Sequence, residues 1–166
     1  MAFDAFMKVD GIPGESTDSA HKDWIEVLNY NHEITQPASA SASTAGGGTT
    51  ERCQHADLTV VHYLDKASPK LAEACCKGTH IKEVIIELCR AGGDKVKYME
   101  IKMEKAIVSN VRPVGDPKGA DGFPIESVSF NYGTISWTYT QQKRDDGSGG
   151  GQVASGWSLI ENKPTA

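Results

Sequence analysis

Hydrophobic and polar residues alternate with a period of two along most of this chain, the repeat of strands with one face in a core and the other in water. Over 24–35 the even positions Trp24, Leu28, Tyr30 and Ile34 are apolar, while the odd positions turn polar at Asn29, Asn31, Glu33 and Thr35. That split predicts one long strand with its even face buried. Residues 2–9 and 58–64 carry similar runs. Residues 81–89 and 95–108 flank Ala91-Gly92-Gly93-Asp94, turn chemistry between β-rich segments that predicts a hairpin. In its second arm Met99, Ile101, Met103 and Ile107 alternate with Tyr98, Glu100, Lys102 and Glu104, so one face is apolar and the other charged. A further long strand is predicted over 125–139, interrupted at Gly133 where a bulge is expected, and a short strand at 156–160 closes the set.

One segment departs from this period. Ser68-Pro69 reads as a helix N-cap with proline at the first helical position, and Gly78 as the C-terminal stop. Leu71, Ala72 and Cys75 share one face of the helix between them. Residues 10–23 are turn-rich and charged, with Gly11, Pro13 and Gly14, and His21 among them reads as solvated. Residues 36–50 are an Ala/Ser/Gly run with too little apolar surface to offset the entropy of ordering, so a mobile loop is expected over about 36–56. Such a loop is either a passive linker or a segment that orders against a neighbour. A Pro/Gly loop follows at 114–122, and the Gly-rich stretch 143–156 is expected outside the strands. About seven strands and one helix predict a single mainly β domain over 1–166, a barrel or sandwich with a flanking helix.

Composition narrows the function. With 166 residues, 39% hydrophobic and 23% charged, the chain has the make-up of an ordinary globular domain. Its formal net charge of −5 argues against nucleic acid or an anionic membrane as the partner. No run reaches the ~18 apolar residues of a membrane-spanning helix. Met1-Ala2-Phe3-Asp4-Ala5 lacks the basic and then apolar regions of a signal peptide, so none is expected. Cys53, Cys75, Cys76 and Cys89 are then expected as reduced thiols rather than a disulfide framework.

Candidate chemistry is sparse. No GxGxxG, Walker loop, GxSxG or HExxH occurs. Cys53, His55, His62, Cys75, Cys76, His80 and Cys89 are of metal-ligating type, but without a CxxC pair no metal is expected, and no cofactor either. His62 follows Leu58 and Val60 on one strand face and reads as a core or interface histidine. Glu83, Glu87, Glu100 and Glu104, interspersed with Lys95, Lys97, Lys102 and Lys105, read as a solvated or subunit-facing surface rather than an acid–base pair. The chain is expected not to be an enzyme.

Ala2-Phe3-Asp4-Ala5-Phe6-Met7-Lys8 and Ile12-Pro13-Gly14-Glu15-Ser16 resemble the opening of the haemolysin-coregulated protein family, Hcp, the inner tube of the bacterial type VI secretion system. The similarity continues through Trp24-Ile25-Glu26-Val27-Leu28, Leu64-Asp65-Lys66-Ala67-Ser68-Pro69-Lys70-Leu71 and Ala74-Cys75-Cys76-Lys77-Gly78-Thr79-His80-Ile81. It resumes at Cys89-Arg90-Ala91-Gly92-Gly93 and at Gly156-Trp157-Ser158-Leu159, so it spans essentially the whole chain in order, weakest over 36–50 and 145–151. The resemblance implies a compact β-barrel of two sheets with one flanking α-helix, similar to phage tail tube proteins. It implies homohexameric rings that stack into a tube, a contractile sheath around it, a spike protein at its tip and effector proteins in its lumen. No catalytic residue, cofactor, nucleic acid or membrane partner belongs to that family core. The protein would reside in the bacterial cytoplasm before firing and be secreted without a signal peptide. Some members carry a C-terminal toxin domain; with only a few residues after 156–160, none is expected here. The alternative is an effector-like or generic β-barrel binding protein that does not assemble into a tube.

On that architecture a tube wall needs a wet strand face toward its lumen. Asn29, Asn31 and Glu33 are expected to face lumen and effectors, with Lys97, Glu100, Lys102 and Glu104 as secondary candidates for lumen or subunit contacts. Ring stacking needs a protruding element. The 36–50 run is the candidate, with Gln36, Ser39, Ser41, Ser43, Gly46, Gly47 and Gly48 as its contact residues.

Overall fold

The computed structural model describes residues 3–37, 51–92, 95–115, 122–143 and 149–165. The chain runs through β1 (Phe3–Val9), β2 (Ile25–Val27), β3 (Asn29–Asn31), β4 (Ile34–Thr35), β5 (Gln54–His55) and β6 (Leu58–Tyr63) to α1 (Ser68–Lys77). It continues through β7 (His80–Arg90), β8 (Lys97–Val114), β9 (Ile125–Asn131), β10 (Thr134–Gln142), β11 (Gly149–Ser158) and β12 (Lys163–Pro164). The main sheet is ordered β12-β11-β10-β8-β7-β1-β2, with β9 on the later part of β8, β6 on β9, and β3 on β6. β4 and β5 form a separate two-stranded ribbon. The fold is mainly β, with one helix among the described residues, as patterning and resemblance imply.

The strand expected over 24–35 is three short strands, and its parity is not constant. Where β2 lies on β1, the odd residues Ile25 and Val27 are buried. At Leu28 the chain bends, its N–H donates to Val61 O at 2.8 Å, and β3 continues on β6 with Tyr30 packed against the core. Leu28 and Ile34, expected inside, are 43% and 44% exposed. The change of partner reverses the faces, and an alternation counted along the chain cannot register that reversal. The pairing path therefore runs from β2 through β1, β7, β8, β9 and β6 to β3, the same bent segment as β2.

β8 changes partners in the same way. Its first part, to Glu104, pairs β10, and from Ile107 onward it pairs β9. Lys105 stands between the two parts at φ 53, a left-handed conformation rare outside glycine. Burial shifts there from Ile101 and Met103 to Ala106 and Val108, which leaves Ile107 only half-buried. The interruption expected at Gly133 separates β9 from β10. Gly133 donates its N–H to Glu104 O at 3.1 Å, and a Cβ there would lie 2.8 Å from Ile160 Cδ1, so a side chain would have to displace the tip of Ile160.

The Gly-rich 149–156 stretch, expected outside the strands, is most of β11. It pairs β10 from Thr134↔Ser158 to Gln142↔Gly149 with one irregularity. Its partner supplies the ladder of hydrogen bonds, while glycines carry no side-chain alternation to announce a strand. The helix ends as predicted at Gly78, φ 63, whose N–H reaches Cys75 O at 3.3 Å. It starts one residue early, with Ala67 at the cap. The Ser68 hydroxyl instead accepts the Asp65 N–H at 3.2 Å, and the Asp65 carboxylate accepts the Ala67 N–H at 2.9 Å. Leu71 and Ala74 are its buried residues, and it packs on β8. Phe130, Met7, Ile25, Leu58, Leu71 and Met103 are among the fully buried side chains of one shared core, each contributing roughly 1.5–3 kcal/mol by leaving water.

Candidate functional site

Residues directly opposite each other on antiparallel strands share a face, so the registers define two polar surfaces. The first spans β3, β6, β9 and the end of β8. Its rows are Asn31–Thr59–Ser129–Asn110 and Asn29–Val61–Ser127–Arg112. Beneath them Leu58, Val60, Val128 and Phe130 point into the core. Thr59 and Ser129 join hydroxyls at 2.8 Å. Among the described residues, Asn29 and Asn31 are exposed and make no side-chain hydrogen bond. Apart from Arg112 these rows carry no charge. Asn29 and Asn31 were legible from sequence, and the serine alternation of 125–131 was the signal that would have added Ser127 and Ser129. Glu33 does not join the rows, because β3 stops at Asn31; its carboxylate accepts the Thr35 hydroxyl at 3.1 Å and its backbone carbonyl the Ala56 N–H at 2.9 Å.

The second surface lies on β7 and the beginning of β8. The register sets Glu83 opposite Glu104 and Glu87 opposite Glu100, two like-charge pairs that repel if left alone. Lysines resolve both. Lys102 Nζ lies 3.1 Å from Glu83 and 3.4 Å from Glu104, and Lys97 Nζ 3.1 Å from Glu87 and 2.7 Å from Glu100. The bond to Glu83 holds the Lys102 ammonium above its ordinary value. Burial pulls Lys97 down, but its bonds to Glu100 and Glu87 outweigh this and keep it raised. Lys97, Glu100, Lys102 and Glu104 thus spend their charge on each other within one chain.

Two histidines are built into the interior. His21, expected to be solvated, is 4% exposed. It stacks on Phe6 at 4.2 Å and meets the edge of Trp24, because the 10–24 segment folds over the outer side of β1 and β7. Its Nδ1 lies 2.9 Å from Asp18 and its Nε2 2.7 Å from Glu87, so the ring ties that segment to β7. Bonds from Lys95 and His21 hold the Asp18 carboxyl well below the usual carboxylate range. His62 is a core histidine, as its strand face predicted, with Nε2 3.2 Å from Glu126 and Nδ1 unpartnered. Burial pushes the Glu126 carboxyl up against the pull of His62.

Two further histidines, His32 and His55, meet in a way the sequence did not reveal. His32 Nε2 and His55 Nδ1 both reach the hydroxyl of Tyr132, at 2.7 and 2.8 Å. The three residues are separated by 23 and 77 positions, so no local motif marks them. His32 and His55 flank the ribbon of β4 and β5, whose two strands residues 36–53 connect in sequence. Gln36 is exposed at its root and donates to the carbonyls of Pro37, at 3.3 Å, and Glu51. Ser39, Ser41, Ser43, Gly46, Gly47 and Gly48 lie outside the described residues. All four cysteines are free thiols, with Cys89 buried and Cys76 exposed. No helix among the described residues is long and apolar enough to cross a membrane.

The family model described as "Type VI secretion system effector, Hcp" matches residues 6–139. Protein hcp1 of Pseudomonas aeruginosa is 33% identical over 163 residues, 98% of each chain. A solved structure of a type six secretion system protein superposes with a TM-score of 0.91 at 35% identity, covering 99% of this chain and 100% of that one. The crystal structure of Hcp1 from Salmonella typhimurium does so with a TM-score of 0.82 at 32% identity, again covering 99% and 100%. With the mainly β fold, the single helix capped at Gly78 and these full-length matches, the chain belongs to the Hcp family of type VI secretion system proteins.

Proposed function

We propose that this chain is the subunit of a type VI secretion inner tube, in which six copies form a ring, rings stack, and effector proteins travel in the lumen. The observation that carries this reading is the uncharged polar face of β3, β6 and β9. A channel that passes folded cargo needs a wet wall that offers hydrogen bonds without holding one charge type, and this surface has that chemistry. Asn29 and Asn31 are its lumen contacts in this reading, and Glu33 sits at its rim. The segment rooted at Gln36, with Ser39, Ser41, Ser43, Gly46, Gly47 and Gly48, contacts the next ring. A sheath encloses the tube, a spike protein caps it, and the chain performs no catalysis. It waits in the cytoplasm and leaves the cell through the machine it builds.

Native mass measurement with negative-stain images of the same fraction tests the reading. A mass near six chains with annular particles is expected. A chain that stays monomeric at micromolar concentration, with spike protein added, overturns it. Assembly multiplies the −5 charge of one chain, so ring stacking should strengthen with added salt.

A further inference from the structure

The ribbon that bears the 36–53 segment is fastened by groups that titrate. His32 follows β3 and His55 ends β5, so one ring stands at each end of the segment, their centroids 6.3 Å apart. Both bond the hydroxyl of Tyr132, which is 4% exposed. A phenol has one proton to give. With both imidazoles neutral, the O–H donates to one ring nitrogen while its oxygen accepts the N–H of the other, and all three groups are matched. A proton on the accepting ring turns that nitrogen into a donor, so both rings aim N–H groups at the one phenol oxygen and the O–H loses its acceptor among the three. It also sets a cation in a half-buried site beside a second imidazole.

Among the described residues no carboxylate bonds either ring. Asp57, the carboxylate acting on Tyr132, already accepts from Ser109 at 2.6 Å and from Asn131 at 2.9 Å. Glu33 is bonded to Thr35, and Arg52 donates to Leu159 O at 2.8 Å. Glu51, Arg52 and Cys53 line the cleft that His55 shares with Trp137 and Trp157. On the other side of Tyr132, His80 and Lys105 line a second cleft and add positive charge or none.

We propose that His32, Tyr132 and His55 form an acid-released clasp, in which neutral imidazoles hold the β4–β5 ribbon on the sheet and protonation lets it go. Burial lowers both His32 and His55 from the ordinary 6.5, and His55 lowers His32 further, in keeping with a folded state that disfavours the charged rings. The sign follows. A histidine depressed in the fastened state takes up its proton more readily once released, so the clasp is complete above 6.5 and weakens progressively as pH falls below it. The inference rests on contacts within one chain and does not depend on ring or tube formation.

Amide hydrogen exchange on the full chain tests it. The Ala56 N–H, bonded to Glu33 O, reports on the ribbon, and the Leu28 N–H, bonded to Val61 O, is the internal control. After correction for intrinsic rates, protection of Ala56 relative to Leu28 should fall roughly tenfold or more between about pH 7.5 and 5. In Tyr132→Phe that ratio should be low and independent of pH. Because this variant loses the anchor outright, His32→Gln and His55→Gln provide the second reading, with protection kept at neutral pH and a smaller pH effect in each. A constant ratio in the natural sequence, a pH effect that survives in Tyr132→Phe, or a full-sized effect in both glutamine variants overturns the clasp.

Discussion

The neutral face of β3, β6 and β9 and the charged face of β7 and β8 are cut from one continuous sheet over one core, yet they spend their polarity in opposite ways. On the charged face, register sets glutamate against glutamate, and Lys97 and Lys102 serve as internal counter-ions. Its chemistry is used up holding the hairpin together. On the neutral face no like charges meet, so nothing has to be compensated, and Asn29 and Asn31 are exposed with no side-chain hydrogen bond within the chain. A polar surface available to a partner is therefore told by whether its groups are already engaged, and charge density is a poor guide.

The largest effect should come from the core the two faces share. Phe130→Ala, beneath the neutral rows, should cost about 3–5 kcal/mol in denaturant unfolding. The faces should be lost in one transition; separate transitions by tryptophan fluorescence and circular dichroism would break the picture of a single support. Next comes Lys102→Glu, which leaves Glu83 and Glu104 opposed with a third negative charge beside them. About 1 kcal/mol is expected at low ionic strength, modest because these side chains are a third to a half exposed, and shrinking as salt is raised. Indifference to salt would mean that the face is not electrostatically balanced.

Acid sharpens the contrast further. Asp18 is held well below its ordinary 3.8, so its contribution is fully present above that value and is lost as pH falls through the carboxylate range toward the depressed one. Lys95→Met removes the strongest of its hydrogen bonds and should move the acid-unfolding midpoint, followed by circular dichroism, to higher pH. The smallest structural effect belongs to Asn31→Asp. Stability should stay within about 0.5 kcal/mol, while co-elution of an effector becomes salt-dependent if this face lines the lumen.

Much of the fold was legible because it is local. The helix announces itself through Ser68-Pro69 and Gly78, and the β7–β8 hairpin through its turn residues. What failed did so for identifiable reasons. Leu28 and Lys105 are places where a strand exchanges one neighbour for another, and a period counted along the chain has no term for its neighbours. The 149–155 part of β11 was missed because glycines leave no alternation, although β10 furnishes its hydrogen bonds, while the strand expected at 156–160 overlaps its end. His21 sits in a charged stretch, and its burial depends on the approach of Phe6 and Glu87 from distant strands as well as on nearby Trp24. The wet side of Asn29 and Asn31 was legible from the alternation over 24–35, whereas the rows they belong to need the registers of three further strands.

The 18 residues of β8 reach about 60 Å if fully extended and belong to both faces. Its hydrogen bonds to β7, β9 and β10 lie across the strand direction, so a load applied along β8 strains them together in shear instead of peeling them one at a time. In mechanical terms β8 is a spar: a push on the charged end reaches the neutral end through covalent backbone, and the sheet resists as a unit.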